Sequence, residues 1–351
     1  MICKLCNSSN IIKFGIQAGT QMYYCKDCQR KFKADDSLFG HRVPATNISS
    51  ALCEYYSGMS VNDIRRLSKQ ETGLEPAQSS IYQWIDKFTD KAVKYYAQFQ
   101  PQVGDVWVAD ETVLSMDGKD VWLWDIIDED TRFLLASKMS YTRTTEDAKT
   151  LFELAKNRAG KSPKVILTDK LRAYPEAISQ VFGKDSEHIK TSPFVAQDST
   201  RKVERWHETL KERTKVLYGL KDANSALAFI DGFLVFYNFM REHKGLNGKT
   251  PAEEAGINYA VKNWADVIRM DESKYLDNEP QYAIPPHLAK ARQQVSGIPY
   301  HAGKRRGVTQ KDYNRQKAVI KARQTMKRKK REARNTPPSL SITRIDKGQV
   351  I

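Results

Sequence analysis

The rhythm of apolar and polar positions changes along this chain. Over the first 35 residues it is short and strand-like, and Gln21-Met22-Tyr23-Tyr24 reads as one strand of a hairpin. Residues 33–44 are polar and turn-rich, and a helical period follows. Ile48, Ala51, Leu52, Tyr55 and Tyr56 share one face, and Ser57-Gly58-Met59 ends that helix. Ser60 is placed to cap a second helix in which Val61, Ile64 and Leu67 repeat at three. After a loop containing Gly73 and Pro76, Ser79 or Ser80 caps a third helix with Ile81, Ile85 and Phe88 inward. Three short helices suit a helix-turn-helix whose last helix enters a major groove, with Tyr82, Gln83 and Lys87 facing DNA. An ordinary small helical bundle fits the same pattern.

From Val103 the texture becomes β. Val106–Asp110, Val121–Ile127 and Arg132–Ser137 are strand-like runs, separated by Met116-Asp117-Gly118-Lys119 and Asp128-Glu129-Asp130. A helix over about 145–158, a fourth strand at Val165–Asp169, a helix over about 172–182, a short strand near 188–191 and a long helix from about 200 to 217 follow. Antiparallel strands followed by alternating helices and strands predict an α/β sheet with helices on both faces.

With 351 residues, 40% of them hydrophobic, the chain has enough sequence for several domains and for a full core without disulfides. Its longest apolar run, Ala226–Tyr237, is broken by Asp231 and Gly232, so no membrane partner is expected. Met1-Ile2-Cys3-Lys4-Leu5-Cys6 lacks the apolar stretch of an export signal, and the expectation is a cytoplasmic protein in a reducing compartment. The net charge of +15 is unevenly placed. Lys304–Arg334 holds 14 Lys and Arg against Asp312 and Glu332, a polyanion-binding arm on a near-neutral body, or else a solvated tail without a specific partner.

Four cysteines form two knuckles, Cys3-x2-Cys6 and Cys25-x2-Cys28, with 18 residues between them. Each tight turn supplies two sulfurs, and the spacing matches one structural Zn²⁺ in a four-thiolate site; a reducible dithiol would need only one pair. Lone Cys53 is expected to be a core thiol. Among the carboxylates, Asp110 ends the first strand of the sheet and Asp169 the fourth, where a buried sheet meets solvent. On the long helix Val203, Trp206, Leu210 and Leu217 make an inward stripe, and Glu204, His207, Glu208 and Lys211 an adjoining polar face. If that helix packs beside the two strands, Asp110, Asp169 and Glu204 converge, a hard-oxygen set suited to Mg²⁺ or Mn²⁺. Glu111 rivals Asp110, but neighbouring strand residues point to opposite faces, so only one is expected in the cluster. Glu208 and Glu212 rival Glu204.

The order Asp110, Asp169, Glu204, with 34 residues between the last two, resembles the DDE transposases of insertion sequences, members of the RNase H-like superfamily with retroviral integrases. Val203-Glu204-Arg205-Trp206-His207 with Lys211 is similar to that family's acidic helix. Tyr237-Asn238-Phe239-Met240-Arg241-Glu242-His243 with Thr250-Pro251 is similar to the pattern that closes many such domains. The resemblance implies an RNase H-like mixed sheet flanked by helices over residues 100–256, behind a zinc ribbon (1–35) and a helix-turn-helix domain (42–98). An extension (257–303) and a basic, partly helical or disordered tail (304–351) match nothing in the family. It implies catalytic and metal-binding roles for Asp110, Asp169 and Glu204 with two Mg²⁺ or Mn²⁺ ions, cleavage at transposon ends, and 3′-hydroxyl strand transfer into target DNA. Lys170, Arg172, Arg205 and Lys211 are the expected DNA contacts near the site, with His207 a DNA contact or a helix-packing residue, and the partners are double-stranded DNA and further copies of the chain in synapsis, with nucleoid association. The competing reading is a catalytically inert or domesticated DNA-binding regulator.

Overall fold

A computed structural model describes residues 1–17, 19–38, 41, 43–116, 119–190, 197–216 and 223–271, with backbone alone for 197–201, 216 and 223–225. Leu217, the turn tip at 117–118, most of the extension and the whole basic tail lie outside the described residues.

The ribbon is a three-stranded antiparallel sheet of β1 (Ile11–Gln17), β2 (Thr20–Cys25) and β3 (Lys31–Lys33). Backbone bonds from Cys3 N to Ser8 O (2.8 Å) and from Cys25 N to Arg30 O (2.9 Å) close the two knuckles. Cys3, Cys25 and Phe32 form a small core of their own, flanked by Ile11, Tyr23 and Cys28.

Three helices follow: α1 (Ala45–Ser57), α2 (Val61–Thr72) and α3 (Gln78–Tyr96). The predicted Ser60 cap is present, its side chain accepting from Asp63 N. The third helix instead begins at Gln78 behind Ala77, with no side-chain cap. Ile48, Leu52, Tyr56, Ile64, Ile81, Ile85 and Phe88 are buried as the periodicity requires. Cys53 corrects the expectation of a core thiol: it is exposed, because it falls outside the stripe that buries Leu52 and Tyr56.

The second sheet has the order β6-β5-β4-β7-β8. It comprises β4 (Val106–Met116), β5 (Lys119–Asp128), β6 (Leu134–Ser140), β7 (Val165–Thr168) and β8 (Glu187–Lys190). The first three are antiparallel, β7 runs parallel to β4 and β8 parallel to β7, which makes the sheet mixed. β6 starts two residues later than its apolar pattern indicates. Asp128 accepts from the backbone N and hydroxyl of Thr131, and Arg132 takes a positive φ of 58°, so Arg132 belongs to the turn. Helices α4 (Thr145–Ala159) and α5 (Ala173–Phe182) pack against each other, and α4 lies on β5 and β6. Helix α6 (Gln197–Val216) lies across β4, β5 and β7, and α7 (Ala223–Val235) touches β6 and α3. Trp107 meets Phe182 of α5, while Asp110 meets His207 of α6, so the two helix sets cover opposite faces.

Helix α7 continues as a π-helical turn, Phe236–Met240, before the short helix α8 (Pro251–Glu254). In that turn Asn238 is buried and pairs with both backbone groups of Leu134, accepting from its N–H (2.9 Å) and donating to its carbonyl (3.0 Å). The side chain thus satisfies the start of edge strand β6 as a neighbouring strand would. The first residues beyond 256 fold back onto the helices: Trp264 of α9 (Trp264–Arg269) stacks on Tyr56 at 4.9 Å, and Lys91 donates to the Met270 carbonyl at 2.5 Å. Gly232 is required here, since a Cβ on α7 would overlap the Tyr56 hydroxyl, which bonds Thr89 at 2.6 Å. The three helices and the mixed sheet therefore share one continuous core, separate from the ribbon's.

Candidate active site and metal centres

Strand register brings the first two carboxylates together. Val106 pairs with Val165 and Val108 with Leu167, and carrying that register forward sets Asp169, just past β7, beside Asp110. Ligand oxygens of Asp110, Glu111 and Asp169 all lie within 4.8 Å of one another. Glu111 thereby corrects the expectation that only one of the two neighbours joins. The pleat does send them to opposite faces, but Asp169 lies beyond the end of its strand and meets both.

Their surroundings differ. Asp110 and Asp169 side chains are 26% and 48% exposed, whereas that of Glu111 is 2% exposed and bonded to Arg143 and the Tyr174 hydroxyl. Burial pushes the Glu111 carboxyl up and the Asp169 charge adds to this, while Tyr174 and Arg143 oppose it. Arg143, laid over the Trp122 ring at 4.5 Å, also reaches Asp169 at 4.0 Å.

His207 departs from the expected DNA contact. It is 5% exposed, with Nε2 3.0 Å from Asp125 and Nδ1 3.4 Å from Asp110. Burial works against its charge, but the bonds to Asp110 and Asp125 prevail and hold its pKa at about 9. The ring belongs to the inside of the site because α6 presses this residue onto the β4–β5 pair. Asp125, fully buried, was missed from sequence, although an acid inside the apolar run Val121–Ile127 is the kind of anomaly that marks a site.

Glu204 is exposed on α6, one turn before His207, and stands outside the close carboxylate group. Its rivals Glu208 and Glu212 line a groove of about 930 Å³ between α6 and residues 237–245, together with Arg132, Arg205 and Arg241. Lys170, Arg172 and Lys211 are exposed, as are Tyr82, Gln83 and Lys87 on α3.

Both donor sets fit metal ions. Two oxygens on one magnesium at ~2.1 Å stand at most about 4.2 Å apart, so small side-chain shifts would close the carboxylates on a hard cation. The sulfurs of Cys3 and Cys28, and of Cys6 and Cys25, are 3.6 Å apart, and all four lie within 4.8 Å of one another. A zinc tetrahedron with bonds of ~2.3 Å has edges of roughly 3.8 Å.

Residues 104–243 match the DDE_Tnp_IS240 family model, a DDE domain. In sequence, no curated protein matches the chain. Similar solved structures include the HTLV-2 integrase catalytic core domain in complex with magnesium, at 17% identity and TM-score 0.34, covering 45% of this chain and 99% of that one. The BIV integrase catalytic core domain gives 19% identity and TM-score 0.34, covering 43% and 92%. A simian T-cell lymphotropic virus intasome in complex with PP2A regulatory subunit B56 gamma gives 14% identity and TM-score 0.33, covering 68% and 79%. Among the described residues no helix is long and apolar enough to cross a membrane.

Proposed function

On the premise that residues 104–243 are a DDE domain of the transposase family, we propose that the chain is a DNA transposase. It cleaves a phosphodiester at the ends of a mobile element and joins the released 3′-hydroxyl to target DNA. The observation that carries this reading is the meeting of Asp110 and Asp169 across the parallel β4–β7 pair, inside the matched segment.

Asp110, Asp169 and Glu204 are the proposed holders of two Mg²⁺ or Mn²⁺ ions. Glu204 is the third because it is exposed on the helix whose His207 already touches Asp110. Glu111 is buried and committed to Arg143 and Tyr174, so it braces the site from behind. Bound ions supply activation of the attacking oxygen and stabilisation of the leaving one during in-line displacement at phosphorus. The chain's own part is to bind and orient. Lys170, Arg172, Arg205 and Lys211 neutralise phosphates near the acids, and Tyr82, Gln83 and Lys87 present the exposed face of α3 to a major groove. The basic tail adds sequence-independent affinity. Joining two ends requires more than one copy at synapsis, and one Zn²⁺ on Cys3, Cys6, Cys25 and Cys28 folds the ribbon.

The test is incubation of the protein with labelled duplexes from the inverted repeats flanking its coding region, with Mg²⁺, beside Asp169→Asn. Cleavage by the wild type, lost in the variant while binding persists, is expected. Equal cleavage by both would refute the assignment. Binding without cleavage by either would favour a DNA-binding regulator with an inert DDE domain.

A further inference from the structure

Asp110 and Asp125 are directly opposed on β4 and β5, so both carboxylates face α6. Like charges opposed across a strand pair repel, and Asp125 has no exposure through which water could relieve it. The structure answers with two donors. The Ser137 hydroxyl of β6 donates to Asp125 Oδ1, and the His207 ring lies between the acids, 3.0 Å from Asp125 Oδ2 and 3.4 Å from Asp110 Oδ2. Three elements, β5, β6 and α6, thus converge on one carboxylate of the site, from its buried side. Asp125 is fully buried, so DNA does not reach it, and among the described residues the His207 ring is the side chain that links it to Asp110.

We infer that His207, oriented by Asp125 and Ser137, is a positioning residue that fixes the Asp110 carboxylate for its divalent cation. The inference rests on the metal-dependent reading above. A carboxylate has two oxygens; with one held beside the imidazole at 3.4 Å, rotation about its last bond is restrained and the other is left for the ion. Partners that orient a metal ligand through hydrogen bonds are worth roughly 10–100-fold in metal affinity. The competing role is a clamp that merely fastens α6 to the sheet.

Mn²⁺ binding to the full-length, zinc-loaded protein, read from the electron paramagnetic resonance signal of free Mn²⁺, separates the two. The set is wild type, Asp169→Asn, His207→Gln, Asp125→Asn and Ser137→Ala, each also taken through thermal unfolding. Both His207→Gln and Asp125→Asn should weaken Mn²⁺ binding roughly 10–100-fold, with Ser137→Ala weakening it less. Should His207→Gln fail to fold, Asp125→Asn carries the test, because it keeps the side chain's shape and replaces a residue that is not itself a proposed ligand. A lowered melting temperature with wild-type Mn²⁺ affinity, while Asp169→Asn has lost binding, would overturn the inference and leave the metal reading standing. Failure of the wild type itself to bind Mn²⁺ would overturn both.

Discussion

In the ribbon, four sulfurs arrive from two turns of four residues each, Cys3 to Cys6 and Cys25 to Cys28, joined by one hairpin. In the carboxylate centre, Asp110 and Asp169 are 59 positions apart in the chain, and the groups around them and Glu111 come from β5, β6, α5, α6 and the loop holding Arg143. The ribbon's core is a few side chains around its knuckles. The mixed sheet shares one core with α1, α3 and α9. A ligand set built by local turns, with so small a core, is expected to depend on its metal for folding, whereas one built by strand register is expected to depend on packing far from the ligands.

The largest effect that would sharpen this contrast comes from chelating zinc. Structural zinc contributes apparent folding energies of about 10–16 kcal/mol in small ribbon-like peptides, so residues 1–35 should unfold while the body stays intact. All six tryptophans lie outside the ribbon, from Trp84 to Trp264, so their fluorescence should barely change as ribbon amide signals collapse. Joint loss of both would show that the two cores are one folding unit.

A smaller blow aimed at the body is Lys138→Ala. Lys138 is 2% exposed and paired with Asp147 at 2.9 Å, and removing one partner of a buried pair costs about 3–5 kcal/mol. Urea unfolding followed by tryptophan emission should register it, with zinc affinity unchanged. Asn238→Ala strips two bonds from Leu134 at the sheet's edge, and about 1–3 kcal/mol is expected. Faster hydrogen exchange at the start of β6 should accompany that loss.

A last effect is in pH. Burial and the Arg241 and Arg132 charges lower His243 from its ordinary 6.5 to about 4. A group depressed in the folded state takes up protons more readily when unfolded, so its contribution to stability is intact above pH 6.5 and is lost as pH falls toward 4. His243→Asn should flatten the stability profile in that window; an unchanged slope would show that the ring titrates alike folded and unfolded.

Much of this was legible in the chain because some signals are local. The knuckle spacing announces the sulfur site, the helical period places Ile48 through Phe88 inside, and Ser60 marks a helix start. Asp110 and Asp169 could be picked out because each follows an apolar run, but β4 continues to Met116, so Asp110 lies within its strand and not at the end as expected. Arg132 reads as strand in the sequence but sits in a turn, because nothing in its neighbours' hydropathy reveals the backbone turn that Asp128 builds.

The amino-acid order by itself determined which residues can bind metal, which faces of the elements are apolar, and hence that a zinc ribbon, three helices and a mixed sheet should form. Only the tertiary structure decided the company each acid keeps: Glu111 drawn into the group, His207 turned inward between two carboxylates, and Asp125 made its buried support. The reason is that hydropathy period is a property of neighbours in sequence, whereas charge environment and hydrogen-bond partners depend on strand register and helix docking between distant segments.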